Sequence, residues 1–102
     1  GIVLLNDSIA QRANISGVVI RQVAPNTPAA KAGLRGLRQG ARGNIVVGDV
    51  VINVDGRPVK TVGQLLKAIV KKHIGEMVSL KVKRDGKVRT VKLKTIDINQ
   101  PQ

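Results

Sequence analysis

The stretch "VAPNTPAAKAGL", Val23 to Leu34, decides where this chain turns. It comes directly after a segment rich in β-branched residues, which predicts a strand. Pro25 ends that strand, because proline has no N–H to donate to a strand ladder. Thr27 then predicts the N-cap of a short helix with Pro28 as its first residue, and Gly33 predicts its end. We therefore expect a corner helix about one turn long, which redirects the chain towards the next strand.

The composition indicates a single domain with an aliphatic core. The chain has 102 residues, enough for one core without covalent staples. It contains no Phe, Trp or Tyr, so aliphatic side chains have to build that core. The absence of cysteine excludes disulfides and thiolate metal sites and leaves the compartment open. The apolar runs are too short and too interrupted to cross a bilayer.

The charge is strongly positive and concentrated in the second half of the chain. The net charge is +12, from 18 basic and 6 acidic residues. From Arg57 onward there are twelve basic residues and three acidic ones. Such a charge favours anionic partners or surfaces through its long-range field. A solvated lysine face explains the same residues, and both interpretations stay open.

The first half of the chain predicts short elements separated by turns. Gly1–Leu5 is an apolar strand, and Asp7 or Ser8 predicts the N-cap of a brief helix that ends near Asn14. After the corner helix, Arg35–Asn44 contains several glycines and arginines without an apolar period. This pattern predicts a mobile basic loop.

The second half predicts one long helix between strands. Val50–Val54 predicts a buried strand that ends in a turn at Asp55-Gly56. Thr61–Lys72 predicts a helix that opens with a capping box, and Asp85-Gly86 predicts the turn of a hairpin. The apolar positions of these elements predict a core formed by Val18, Ile20, Leu34, Val51, Leu65, Leu80, Val82 and Leu93.

The residues capable of catalysis form no recognisable constellation. His73 lies in a polar segment, where we expect it to face solvent, and Glu76 and Ser79 are close to it only in sequence. The six acidic residues are scattered and predict neither a carboxylate pair nor a metal site. Asp49 and Asp55 are interpreted as turn residues. We therefore expect a binding domain without catalytic residues, metal or cofactor.

Several segments in combination resemble a PDZ domain. They are "GVVIRQVAPNTPAAKAGL", "GDVVINVDGRPV", the capped helix and "VSLKVKRDGKVRTVKL". The closer resemblance is to the PDZ domains of HtrA/Deg-type, DegP-like serine proteases, and it runs from Gly1 to about Ile96. It implies an α+β partial barrel of five to six strands with one long and one or two short helices. It also implies the permuted bacterial arrangement, in which a last strand at about Val88–Lys94 replaces the first strand of the animal type. Residues 1–96 are then the domain, and 97–102 a tail or linker.

The resemblance also implies a peptide-binding groove between the first strand and the long helix. A peptide would lie antiparallel to Gly1–Leu5, and N–H groups of Gly1–Val3 would receive its terminal carboxylate. An apolar stripe on the helix, at spacings of four and three, would contact the last side chain. Ile69 is interpreted either as a groove residue or as a residue of the core only. The expected peptide-binding residues are Gly1, Ile2, Val3, Leu4, Val62, Leu66 and Ile69.

The function implied by the resemblance is a peptide-binding module of an HtrA-type serine endopeptidase. Its partners would be hydrophobic C-terminal or exposed segments of client proteins, in protein quality control. The parent chain would carry the protease domain, form a homo-oligomer and work in the periplasm or another extracytoplasmic compartment, such as an organelle lumen. Since the chain opens directly on a strand, we expect it to be part of a longer protein, with the start of the carboxylate-binding loop before Gly1.

Two features, a long insertion and the high basic charge, depart from the family pattern and keep alternatives open. Thirteen residues, Arg35–Val47, separate "AGL" from "GD", where the simplest members have one or two. This resembles Deg-type proteases of plants and some bacteria, and the insertion is either a partner-contacting loop or simply tolerated. The alternative functions are a PDZ domain of a scaffold, secretion component or membrane protease, and a basic nucleic-acid-binding module. For the latter, "GLRG" (33–36) and "GARG" (40–43) fit the G-x-x-G of KH loops, but no aromatic residue is present to stack a base.

Overall fold

The computed structural model describes residues 2–98, apart from the side chain of Asp97. In chain order its elements are β1 Ile2–Leu4, α1 Asp7–Arg12, β2 Val18–Val23, α2 Pro28–Lys31, β3 Arg38–Gln39, β4 Ile45–Val46, β5 Val50–Val54, β6 Arg57–Pro58, α3 Val62–Val70, β7 Met77–Arg84 and β8 Lys87–Lys94, followed by a 3-10 turn at Thr95–Asp97. Within this part of the chain no helix is long and apolar enough to span a membrane.

The strands form one antiparallel sheet and a separate short ribbon. The sheet has the order β1-β2-β5-β7-β8, with β6 paired to β5, and β3 pairs with β4. Asp55-Gly56 and Asp85-Gly86 both have positive φ, as the two-residue turns of tight hairpins require. The fold is the α+β partial barrel that the sequence predicted. Within residues 2–98, the strands with a single partner in the sheet are β1, β6 and β8.

One face of the sheet packs on the larger core, and the other face is covered at β2 and β5 but exposed along β7 and β8. The larger core cluster includes residues of α2 and α3, and the eight predicted core residues are all buried in it: Val18, Ile20, Leu34, Val51, Leu65, Leu80, Val82 and Leu93. Neighbouring strand residues point to opposite faces, so Val19 belongs to a second, smaller cluster with Ala10 of α1. The predicted core is therefore confirmed, and α1 covers a smaller core on the other face.

The corner helix forms as predicted. The Thr27 hydroxyl accepts a hydrogen bond from the Ala30 N–H at 3.4 Å, and Pro28 is the first helical residue. Gly33 follows the end of the helix with φ +87°. Its carbonyl oxygen accepts a 2.7 Å hydrogen bond from the Arg89 guanidinium. A Cβ at Gly33 would lie 3.3 Å from that guanidinium, so glycine gives Arg89 room to cap the helix end.

The predicted loop over Arg35–Asn44 is partly wrong, because it contains β3 of the β3–β4 ribbon. Two-residue strands are too short to show a period in the sequence. The chain before β3 is attached to β2: the Leu37 N–H donates to the Arg21 carbonyl at 2.9 Å. A Cβ on Gly36 would lie only 2.5 Å from that carbonyl oxygen. The glycines at 33 and 36 thus have structural roles, which account for one of the two G-x-x-G matches.

The predicted N-cap of α1, Asp7 or Ser8, is also wrong. Asn6 is the cap, and its side-chain oxygen accepts hydrogen bonds from the Ser8 N–H at 2.8 Å and the Ser8 hydroxyl at 2.6 Å. The helix ends at Arg12, slightly earlier than predicted. Asp7 is the first residue of this helix, and its carboxylate accepts a hydrogen bond from α3.

Asp49 is not a surface turn residue, contrary to the sequence interpretation. Its side chain is fully buried. One carboxylate oxygen, Oδ2, accepts a 2.7 Å hydrogen bond from the Arg35 N–H and lies 3.6 Å from Arg84 and 3.9 Å from Arg89. Asp49 therefore joins the segment after α2 to the β7–β8 hairpin.

The packed chain continues beyond the expected domain end at residue 96. Ile98 is 3% exposed and belongs to the larger core cluster. Thr95 is buried, and its hydroxyl accepts a 2.9 Å hydrogen bond from the Gly75 N–H. Residues 99–102 of the predicted tail lie outside the described residues.

Candidate functional site

The free edge of β1 offers main-chain hydrogen-bonding groups. The Leu5 N–H donates to the Val19 carbonyl of β2 at 2.9 Å, whereas Leu4 is opposite Ile20 and Ile2 opposite Val23. Main-chain groups alternate in direction along an antiparallel strand. The register shift between Val3 and Leu4 places its extra residue on β2, so the alternation along β1 continues and predicts that the N–H and C=O groups of Ile2 and Leu4 point away from β2.

Helix α3 is hydrogen-bonded at its first turn to the segment that follows β1. The Asp7 carboxylate accepts a hydrogen bond from the Val62 N–H, with distances of 3.0 and 3.3 Å to its two oxygens. The negative charge at the first turn also stabilises the helix dipole. Because Asp7 follows β1 and Val62 begins α3, the end of the strand meets the start of the helix.

Thr61 and Gln64 also cap the start of α3. The Thr61 hydroxyl accepts a 3.1 Å hydrogen bond from the Gln64 N–H, as predicted. The Gln64 side chain accepts from the Lys60 N–H at 2.7 Å, one residue earlier than in the standard capping box. These contacts hold the first turn of α3 in place.

The expected groove residues differ in their burial. Ile2 and Ile69 are 5% and 4% exposed and belong to the larger core cluster. Leu4 and Val62 are half-buried against that cluster, and Val3 and Leu66 are also half-buried. The burial of Ile69 favours its core role, while Leu66 keeps accessible apolar surface. Gly1 lies outside the described residues.

Sequence reasoning missed Val70. It is 71% exposed and follows Leu66 by four residues, so it extends the apolar stripe to the last turn of α3. The signal was present in the spacing Val62, Leu66, Val70. The exposed valine adds to the accessible apolar surface of α3.

The ionisable residues near the end of α3 form ion pairs and caps. Lys72 Nζ lies 2.6 Å from Asp55 Oδ2, and this hydrogen bond, together with one from the Ser79 N–H, lowers the pKa of Asp55. The same contact with Asp55 raises the pKa of Lys72. The His73 N–H donates to Glu76 at 3.0 Å and lowers the pKa of that carboxyl group.

These contacts do not assemble a nucleophile with a base. His73 is exposed, and its main chain, not its ring, contacts Glu76. Ser79 contributes its N–H to Asp55. Among the described residues no group of three His, Cys, Asp or Glu side chains could hold a metal ion.

The sequence matches the PDZ domain family over residues 3–95, and the chain belongs to this family. The predicted resemblance to PDZ domains of HtrA/Deg-type proteases is also confirmed by the relatives. The chain is 37% identical over 91 residues to Protease Do-like 8, chloroplastic, of Arabidopsis thaliana, covering 88% of this chain and 20% of that protein. It is 30% identical over 101 residues to the periplasmic serine endoprotease DegP of Salmonella typhimurium, covering 96% and 19%. The chain thus spans about a fifth of the length of these relatives.

Solved structures show the same fold. The HtrA3 PDZ domain bound to a phage-derived ligand, FGRWV, has a TM-score of 0.63 at 21% identity, covering 92% of this chain and 78% of that one. The HtrA-type protease AlgW with a decapeptide has a TM-score of 0.61 at 20% identity, covering 91% and 26%.

Proposed function

We propose that this PDZ domain binds extended hydrophobic polypeptide segments by adding them as a strand to the free edge of β1. The observation that carries the proposal is the direction of the main-chain groups of Ile2 and Leu4, beside the half-buried Val62 and Leu66 of α3. In strand addition the main chain supplies affinity, and side-chain pockets supply specificity.

The peptide would run antiparallel to β1, with its C-terminus near residues 1–3. Its terminal carboxylate would be received by those N–H groups within Gly1–Val3 that face away from β2, including that of Ile2. Its last apolar side chain would contact Leu66 above the buried Ile2 and Ile69. The peptide-bound structures of the HtrA3 PDZ domain and AlgW support this use of the fold.

The parent protein of this chain would be a Do-like serine endopeptidase, active as a homo-oligomer in protein quality control. The names of the relatives support a periplasmic or organellar compartment, since DegP is periplasmic and Do-like 8 chloroplastic. The chain would deliver exposed or C-terminal client segments to a protease domain elsewhere in the parent, and would not hydrolyse peptides itself.

The peptide FGRWV is a suitable probe for this proposal. The chain has no Trp, Tyr or Phe, so the peptide contributes the sole tryptophan fluorescence without any label. We expect saturable binding with a free C-terminal carboxylate and much weaker binding of the amidated peptide. Equal binding of both forms would contradict the placement of the carboxylate.

Leu66→Glu tests the position of the groove, and Gln64→Glu is its matched control. Both substitutions add one negative charge to α3, but Gln64 faces away from Leu66 and its glutamate keeps the acceptor for the Lys60 N–H. We expect Leu66→Glu to abolish binding of FGRWV, because a charge replaces half-buried apolar surface. Gln64→Glu should bind like the wild type.

Far-UV circular dichroism checks the fold of each variant. If Leu66→Glu does not fold, the truncation Leu66→Ala decides the question by a loss of affinity in a folded domain. Wild-type affinity in folded Leu66→Glu or Leu66→Ala would show that the groove lies elsewhere.

A further inference from the structure

A recess lies beside the face of α3 that is turned away from Leu66. It is a cavity of about 610 Å³ between the helix and the β5–β6 turn. Gln64, Lys67 and Lys71 line it at spacings of three and four, which places them on one face of the helix, away from Leu66. Val54, Val59 and Ala68 are among its apolar lining residues. Its volume is within the range of about 300–1,000 Å³ typical of ligand sites.

The cavity carries an excess of positive charge. Four basic residues line it, and one of them, Lys72, is paired with Asp55 at 2.6 Å and Glu76 at 3.5 Å. Arg57, Lys67 and Lys71 have no carboxylate that the structure describes within the 4.0 Å of an ion pair. Arg57, Lys67 and Lys71 thus line the cavity without an ion-pair partner among the described residues, and the one acidic lining residue, Asp55, is paired with Lys72.

Helix stability alone does not explain this arrangement. The helix dipole favours cations in the last turn, which suits Lys67 and Lys71. Their spacing of four, however, places two like charges next to each other, which destabilises a helix. Arg57 belongs to β6, outside the helix, and lines the same cavity.

We propose that this cavity is a second ligand site, which takes an acidic polypeptide segment that carries an apolar side chain. The three cations pair with the carboxylates, and the apolar lining residues receive the side chain. A polypeptide fits better than a nucleic acid, because the chain has no aromatic residue on which bases could stack. The site is separate from the β1 edge and does not depend on peptide binding there.

A fluorescein-labelled, C-amidated DELED peptide tests the proposal by anisotropy at physiological salt. The amide removes the terminal carboxylate, so binding cannot rely on one. We expect Lys67→Glu combined with Lys71→Glu to weaken binding about tenfold or more, through lost attraction and new repulsion. The control, Lys81→Glu with Lys83→Glu, changes net charge equally at exposed positions of β7 and should have less than about a twofold effect.

The apolar contact and the separation of the two sites are tested in the same assay. A DESED peptide should bind more weakly than DELED, because serine cannot use the apolar lining residues. Leu66→Glu should leave DELED binding unchanged, and the Lys67/Lys71 variant should leave FGRWV binding unchanged. If the double glutamate variant does not fold, Lys67→Gln with Lys71→Gln replaces it.

Four results would overturn the proposal. They are the absence of DELED binding at physiological salt, an equal loss in both double variants, loss of binding in folded Leu66→Glu, and equal binding of DELED and DESED. Tighter binding of an oligo-dT strand or of phosphatidylserine vesicles through Lys67 and Lys71 would assign the site to phosphate polyanions instead.

Discussion

Asp49 connects three segments of the chain from a fully buried position. Its Oδ2 atom accepts the Arg35 N–H and attracts Arg84 and Arg89, while Oδ1 has no hydrogen-bond partner among the described residues. The two arginines are partly exposed, and both also donate to the Gly33 carbonyl at the end of α2. The carboxylate thus organises the corner that begins at Val23.

We expect Asp49→Ala to lower the free energy of unfolding by about 1–3 kcal/mol, because the Arg35 N–H loses its charged acceptor. Asp49→Asn keeps that acceptor and should lose less. Urea unfolding followed by far-UV circular dichroism measures both variants. Unchanged stability of Asp49→Ala would show that Asp49 acts only as a turn residue.

At the scale of elements, α3 is held at both ends by residues distant in sequence. Asp7 accepts from its first N–H, and Lys72, just after its C-cap, pairs with Asp55 in the β5–β6 turn. These contacts set the helix between the β1 edge on one side and the basic cavity on the other. The position of α3 therefore determines the shape of both proposed sites.

Asp55→Asn isolates the ion pair at the end of α3. Asparagine tolerates the positive φ of this position and keeps an acceptor for the Ser79 N–H, so mainly the charge is lost. Folding lowers the pKa of Asp55. The charged Asp55 therefore stabilises the fold above its unfolded-state pKa of about 4. This stabilisation is lost as pH falls through the lower folded-state pKa.

We therefore expect the wild type to be more stable than Asp55→Asn at neutral pH, and this difference to disappear in acid. Lys72 has a raised pKa, so its contribution is present below about pH 10.4 and is lost as pH rises through the folded-state value. Because the pair is partly exposed, added salt should reduce the difference. Urea unfolding at acidic and neutral pH measures it, and a difference independent of pH would contradict the ion pair.

For the whole molecule, the larger aliphatic core joins the sheet to α2 and α3. Leu65 of α3 and Leu80 of β7 are 0% and 1% exposed and belong to the same cluster. With no aromatic residue available, stability depends on close packing of these branched side chains. The basic charge remains on the surface, where it acts through the long-range field and not through the fold.

Leu65→Ala and Leu80→Ala should each reduce the free energy of unfolding by about 2–5 kcal/mol, through lost burial and a residual cavity. Val70→Ala is the control on α3, since Val70 is 71% exposed and should change stability by less than about 0.5 kcal/mol. Urea unfolding measures all three. Unchanged midpoints for both leucine variants would contradict the packing of α3 against the hairpin.

The sequence by itself determined those features that depend on near neighbours. The Thr27 and Thr61 caps each contact a residue three positions away, and the Asp55-Gly56 and Asp85-Gly86 turns are local. Alternation along each strand placed the core correctly, and helical spacing predicted the stripe through Val62 and Leu66. The resemblance to a known family then supplied the arrangement of these elements.

Tertiary structure alone decided the contacts between distant residues. Asp7 caps a helix 55 residues further on, Asp49 accepts from a residue 14 positions earlier, and Arg89 caps a helix 56 positions before it. Ile98 joins the core, and the cavity beside α3 combines residues of β5, β6 and the helix. No local pattern encodes such partners, because a cap, a buried charge or a cavity wall depends on which side chains the completed fold brings together.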